Sequence, residues 1–160
     1  MNNLPSIKTI RDELSILSNK ELIIMISALI KFKKENKELV TYLLFDSKDE
    51  GEYIRRITDE TNTAMESVNR FNAKQQIKHI RKVLRNIKKA IKISGNHETA
   101  IRLLLHFCSI MKEKNLPIYR FKGINLIWER CIGQIESELL KIHEDLRFDY
   151  GVELKKLKDQ

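Results

Sequence analysis

Between residues 74 and 92 the chain carries eight cations, Lys74, Lys78, Arg81, Lys82, Arg85, Lys88, Lys89 and Lys92, and no carboxylate. Six of them, Lys74, Lys78, Arg81, Arg85, Lys88 and Lys92, recur three or four residues apart, the spacing that aligns side chains on one helix face. From helix geometry the row lies about 100° round from a second row, Ile77, Ile80, Leu84, Ile87 and Ile91. Such a row suits a polyanion: it can track phosphates, and each phosphate neutralised adds salt-dependent affinity. His79, Gln75, Gln76 and Asn86 stand in the same stretch as hydrogen-bonding groups. No aromatic residue interrupts the row, so it lacks a stacking platform for single strands. No zinc finger, GxxG loop or aromatic RNP motif accompanies it.

A blander use of the same cations competes with this one. Acidic helices packed alongside would neutralise the row internally, each exposed pair contributing under about 1 kcal/mol. The segment from 49 to 66 offers Asp49, Glu50, Glu52, Asp59, Glu60 and Glu66; the last helical segment offers Glu129, Glu136, Glu138, Glu144 and Asp145. Neutralisation is the reading placed first, and the deciding observation is whether the row faces solvent or carboxylates.

Residues suited to catalysis are thinly spread. His79, His97, His106 and His143 show neither the i,i+4 nor the HExxH spacing of a helix-borne metal site. In His97-Glu98 and His143-Glu144 the neighbours point about 100° apart on a helix and share no site. His106, among Leu104, Leu105 and Phe107, reads as a packing histidine. Cys108 and Cys131 sit in apolar surroundings outside any CxxC or Cys/His spacing and read as buried free thiols. Cys131 with His106 or His143 is the one conceivable nucleophile pair, and nothing in the sequence marks a lowered thiol pKa. Trp128 and Tyr119 read as core or loop anchors. Walker, GxGxxG and GxSxG motifs are absent. The sequence therefore names no catalytic residue, no metal ligand and no cofactor.

The elements that carry these residues follow from composition and periodicity. The 160 residues are 42% hydrophobic and 32% charged, with 5 Gly and 2 Pro. So few turn-formers argue against all-β folds and for helices joined by short loops. The net charge of +8 is unevenly placed: residues 71–115 hold 11 cations against 2 anions (+9), residues 1–70 hold 11 against 12 (−1), and residues 116–160 hold 8 against 8 (0). The longest apolar run, Leu22 to Ile30, is too short for a membrane span of about 20 residues. It predicts a central, buried helix instead. The N-terminus has no secretory pattern, which with two unpaired cysteines leads us to expect a cytoplasmic setting.

Along the chain a first helix is expected from Ser6 to Leu17, then one capped by Ser18 with Glu21. A break at Asn36 or one bent helix follows, to residue 45. A second capping box at Ser47 opens a polar helix whose Thr58–Thr63 stretch kinks or frays. The basic helix runs from Ala73 to Ser94, stopped by Gly95, and Asn96 caps a very apolar helix ending before Pro117. A long last helix carries Trp128 through Leu146 and breaks at Gly151. The expected fold is all-α, six to seven helices in antiparallel hairpins, as a bundle or a short α-solenoid. It forms a single helical domain over 1–160 with residues 154–160 frayed.

The pattern of Leu17-Ser18 with Glu21-Leu22, then Asn36, Glu38-Leu39 and Tyr42-Leu43, followed by the basic Ile80-to-Ala90 stretch, a capped apolar helix and a long final helix, resembles a family of uncharacterised bacterial all-helical proteins. The opening hairpin also resembles those of HEAT-like helical repeats, some of which hold nucleic acid on basic inner faces. The resemblance implies the helical fold and no activity. The function placed first is a non-enzymatic helical scaffold or protein-interaction module, with a protein partner or a homodimer. The alternative is nucleic-acid binding through residues 74–92, and the remote one an enzyme without a recognisable motif.

Overall fold

A computed structural model describes residues 4–159. They contain eight α-helices and no strand. Helix α1 spans Ile7–Ser15, α2 Asn19–Phe32, α3 Lys34–Leu44, α4 Glu50–Met65, α5 Ala73–Ser94, α6 His97–Glu113, α7 Lys122–Leu139 and α8 Glu144–Asp159. The all-α expectation is met, with eight helices in place of six or seven. No helix among the described residues is long and apolar enough to cross a membrane. Two compact units, residues 1–44 and 45–160, divide the chain.

In the first unit Ser6 caps α1 by accepting from the Thr9 N–H. The Ser18–Glu21 capping box opens α2 as expected: the Glu21 carboxylate accepts from the Ser18 N–H at 2.8 Å, and Ser18 Oγ accepts from the Glu21 N–H. The break after α2 falls at Lys33, which turns extended at φ −144°, ψ 143°. Asn36 is not the N-cap of α3; it lies inside that helix, and its amide donates to the Leu29 carbonyl in the last turn of α2 at 2.8 Å. The expectation that α2 is a buried central helix is overturned. None of its residues is buried, and Ile23, Ile24 and Phe32 are 65%, 61% and 76% exposed. An all-round apolar sequence needs neighbours on every side to bury it, and within this unit α2 packs chiefly on α3.

The second unit holds the extensive core. Helix α6 sits at its centre, packed by α4, α5, α7 and α8, and ten of its seventeen residues are buried. Phe107, Ile101, Leu103, Leu104 and Met111 are sealed from solvent, as are Ile80 and Ile87 of α5 and Ile124 and Ile135 of α7. Helix α4 is capped by Asp49, whose carboxylate accepts from the Glu52 N–H at 2.9 Å. Ser47, expected as that cap, lies in a short 3-10 turn just before it. The Thr58–Thr63 stretch stays helical, with the Thr61 hydroxyl donating to the Ile57 carbonyl.

The last helix divides where none of the glycines stands. Helix α7 stops at Leu139, and the Arg147 guanidinium donates to the carbonyls of Leu139 at 3.0 Å and Ile142 at 3.1 Å. The first of these bonds satisfies one of the orphan acceptors at the end of α7. Gly151, expected to break the helix, lies inside α8. Of the tail expected to fray, residues 154–159 belong to α8 with Leu154 and Leu157 buried, and Gln160 lies outside the described residues.

Candidate anion-binding surface

Helix α5 is defined at both ends by local chemistry. Asn72 caps it, accepting from the Gln75 N–H at 3.0 Å while Gln75 Oε1 accepts from the Asn72 N–H at 3.2 Å. Gly95 ends it in the left-handed region at φ 64°, where a Cβ would cost roughly 1–2 kcal/mol. Between them run 22 residues, about 33 Å of rod at 1.5 Å per residue. One side is core: Ile80, Val83, Leu84, Ile87 and Ala90 are buried.

The six cations expected as a row, Lys74, Lys78, Arg81, Arg85, Lys88 and Lys92, are all exposed, as is Lys82. Among the described residues none of these seven has a carboxylate at ion-pair distance. Neutralisation by neighbouring acidic helices does not describe this row. Many of the candidate carboxylates are engaged elsewhere. Glu52 and Asp59 hold Arg55 of their own helix at 2.5 and 3.0 Å, and Asp46 holds Arg56 at 2.7 Å. Glu136 reaches Lys158 of α8 at 2.5 Å, and Glu138 holds Lys141 at 3.0 Å and His97 at 2.6 Å. The lysine and histidine that share Glu138 keep its carboxyl below the usual range, against the effect of burial. A helical neighbour three or four residues away is closer than one on the next helix, so Glu52 and Asp59 of α4 turn to the arginine beside them.

The hydrogen-bonding groups of the same stretch are partly committed to the fold. Gln75 closes the capping box, and His79 bonds the Ala64 carbonyl at 2.7 Å with its ring against Phe71. Asn86 stays exposed. The row therefore offers positive charge with few groups able to read a base.

The candidates for catalysis are not brought together. His106 Nε2 meets Asn62 Oδ1 at 2.9 Å, and burial pushes its pKa below the ordinary value. His143 faces Asp145 at 3.3 Å on an exposed corner. Cys131 is sealed against Cys108, and their shared hydrogen bond, with burial, pushes the Cys108 thiol well up. Neither cysteine is bonded to a histidine, so the nucleophile pair does not form. Groups of three or more metal-ligating side chains are absent among the described residues. Trp128 is buried as expected, but Tyr119 is 69% exposed, with the Lys112 ammonium 5.5 Å from its ring centre.

Cross-helix polar pairs escaped the sequence. His97–Glu138 is 41 residues apart, Tyr150 donates to Glu98 at 2.7 Å across 52, and Thr99 donates to Glu50 across 49. Arg130 of α7, exposed and without a carboxylate partner among the described residues, was also unmarked. Its signal was its place seven residues after Gly123, on the same face of α7.

Comparison with known proteins finds no matching family model, no matching curated protein and no matching solved structure.

Proposed function

We propose that the chain is a non-enzymatic binding module that holds the phosphate backbone of a nucleic acid along α5. The observation that carries this reading is the exposed, unpaired state of Lys74, Lys78, Arg81, Arg85, Lys88 and Lys92 on one face of a rigid helix. Like charges at i,i+4 disfavour a helix by about 0.2–0.5 kcal/mol a pair, and no internal carboxylate offsets that here. Six phosphate contacts give a log–log salt slope of about −4 on single strands and about −5 on duplex. The test is binding to both forms across a salt series, with and without Arg81, Arg85 and Lys88 changed to Glu. The triple variant loses about 2–3 from the slope. A flat salt response, or binding untouched by the reversal, overturns the reading. We also read residues 45–159 as a bundle rather than a solenoid, because α6 packs on four helices whereas solenoid units pack on successive neighbours.

The first unit supports a second reading, of self-association. Ile7, Ile16, Ile23, Ile24 and Phe32 are each more than 60% exposed, and monomers rarely leave open an apolar patch larger than roughly a few hundred Å². A second copy of the chain is the simplest occupant, since most oligomers are two-fold symmetric. Sedimentation equilibrium of the native protein and of Ile23→Glu tests it. A dimer that the substitution dissociates supports the reading; a native monomer at high micromolar concentration refutes it.

A further inference from the structure

We infer that the phosphate strand seated on α5 lies in the trough between α5 and α7, with Arg130 as the cation on the far wall, and that it is a single strand of nucleic acid. This rests on the reading of α5 as a phosphate-binding surface and adds to it a second wall and a choice of ligand.

The two helices meet closely. A Cβ placed on Gly123 at the start of α7 would come within 2.7 Å of Ile77 Cδ1, so the α7 backbone itself abuts α5 there. Ile77 lies on the flank of α5 next to Lys74, Arg81 and Lys88, which stand seven apart and form the line nearest α7. On α7 the residue seven after Gly123 is Arg130, which therefore shares the α5-facing flank. Two carboxylates of α7 stand elsewhere. Glu129 and Glu136 are a third of a turn or more round from Gly123 by helix geometry, and Glu136 reaches Lys158 of α8. By helix geometry a strand crossing from α5 toward α7 meets Arg130 and Gln134, and the one acid on that flank, Glu138, is held by Lys141 and His97 near the C-terminal end of α5.

Shape selects the strand. The α5 row is straight for about 27 Å, at 1.5 Å per residue. Over that distance a duplex backbone winds through about three-quarters of its 34–36 Å turn, so a rigid duplex touches the row only where its backbones cross it. A flexible single strand can follow the row throughout. Packed helices stand about 8–10 Å apart, close enough for long arginine and lysine side chains from both walls to reach one backbone, and too close to admit a duplex between them. With no ring in the trough the bases face outward, so binding is indifferent to sequence.

The test measures a labelled twenty-nucleotide oligothymidylate and a duplex of equal length against the native protein, Arg130→Glu, and Lys156→Glu. Lys156 is an exposed cation on α8, so its reversal makes the same change in net charge away from the trough. The expected result is at least tenfold preference for the single strand. Arg130→Glu weakens it about three- to tenfold with a slope lower by about 0.7, while Lys156→Glu stays within twofold of native. Equal effects of the two substitutions, or a duplex bound as tightly as the strand, overturn this inference and leave the α5 surface standing. Absence of binding to either nucleic acid overturns both.

Discussion

Reversing Arg81, Arg85 and Lys88 to Glu should make the folded protein more stable, and the size of the gain follows from the placement of the row. On α5 these three residues lie three or four positions from Lys78, Lys82, Lys89 and Lys92 and from one another. Reversal turns four repulsive pairs into attractive ones: 78 with 81, 82 with 85, 85 with 89, and 88 with 92. The pairs 81 with 85 and 85 with 88 remain like-charged. Each conversion removes about 0.2–0.5 kcal/mol of repulsion and adds as much attraction on a helix in low salt. Discounted for solvent exposure and ordinary ionic strength, the total comes to about 1–2 kcal/mol. None of the three native cations is buried or ion-paired, so nothing is lost in exchange. For a chain of this size each kcal/mol moves Tm by about 2–4 °C, giving an expected rise of roughly 2–8 °C. Calorimetry at low and at high salt measures it, and the gain should shrink as salt is added. A variant that melts below the native protein would mean that these cations have partners in the folded state, and the argument from exposure would fail.

Four further outcomes follow from the core and its polar contacts. Phe107→Ala, at a fully buried position, should cost about 3–5 kcal/mol and be read as a lower denaturation midpoint with unchanged slope. Gly95→Ala should cost about 1–2 kcal/mol through the positive φ alone, since its surroundings leave room for a methyl group. Burial, then the bond to Glu98, raises the Tyr150 pKa to about 12, so its contribution is complete below pH ~10 and is lost as pH rises through 12. An absorbance titration of the native protein against Tyr150→Phe should differ by one late tyrosine, and Glu98→Gln should bring it partly back. His106 is held below its ordinary value by burial, so its contribution is full above pH ~6.5 and declines as pH falls beneath that. NMR titration of its ring should give a midpoint below the ordinary imidazole value.

Where structure is local, the residues announced it. Gly95 and Asn96 end α5 and cap α6 as expected, because caps and left-handed stops are decided by a few adjacent residues; the Asn72–Gln75 box is as local and went unread. The row on α5 was legible for the same reason, as a property of one helix. Its exposure was not, because the order of helices in sequence does not name their neighbours. The same gap explains α2: Leu22 to Ile30 reads as core on hydropathy alone, yet no residue of α2 is buried. The α7–α8 break depended on Arg147 reaching back to Leu139 and Ile142, a tertiary substitute for the glycine or proline that usually marks such a stop. Arg130 needed knowledge that Gly123 lies against Ile77, 46 positions earlier.

The central place of α6 bears on how the chain is made. Helices α4 and α5 precede it and α7 and α8 follow it, so a ribosome releases the most apolar helix of the unit before half of its cover exists. Until Ile124, Trp128, Cys131 and Ile135 emerge on α7, the α6 side that receives them is open to water. Chains that have emerged past residue 113 but not yet to residue 139 therefore display a wet, aggregation-prone helix. In a cell-free translation stalled at successive lengths, binding of a chaperone that captures exposed apolar segments should climb as α6 clears the exit and fall once α7 is complete.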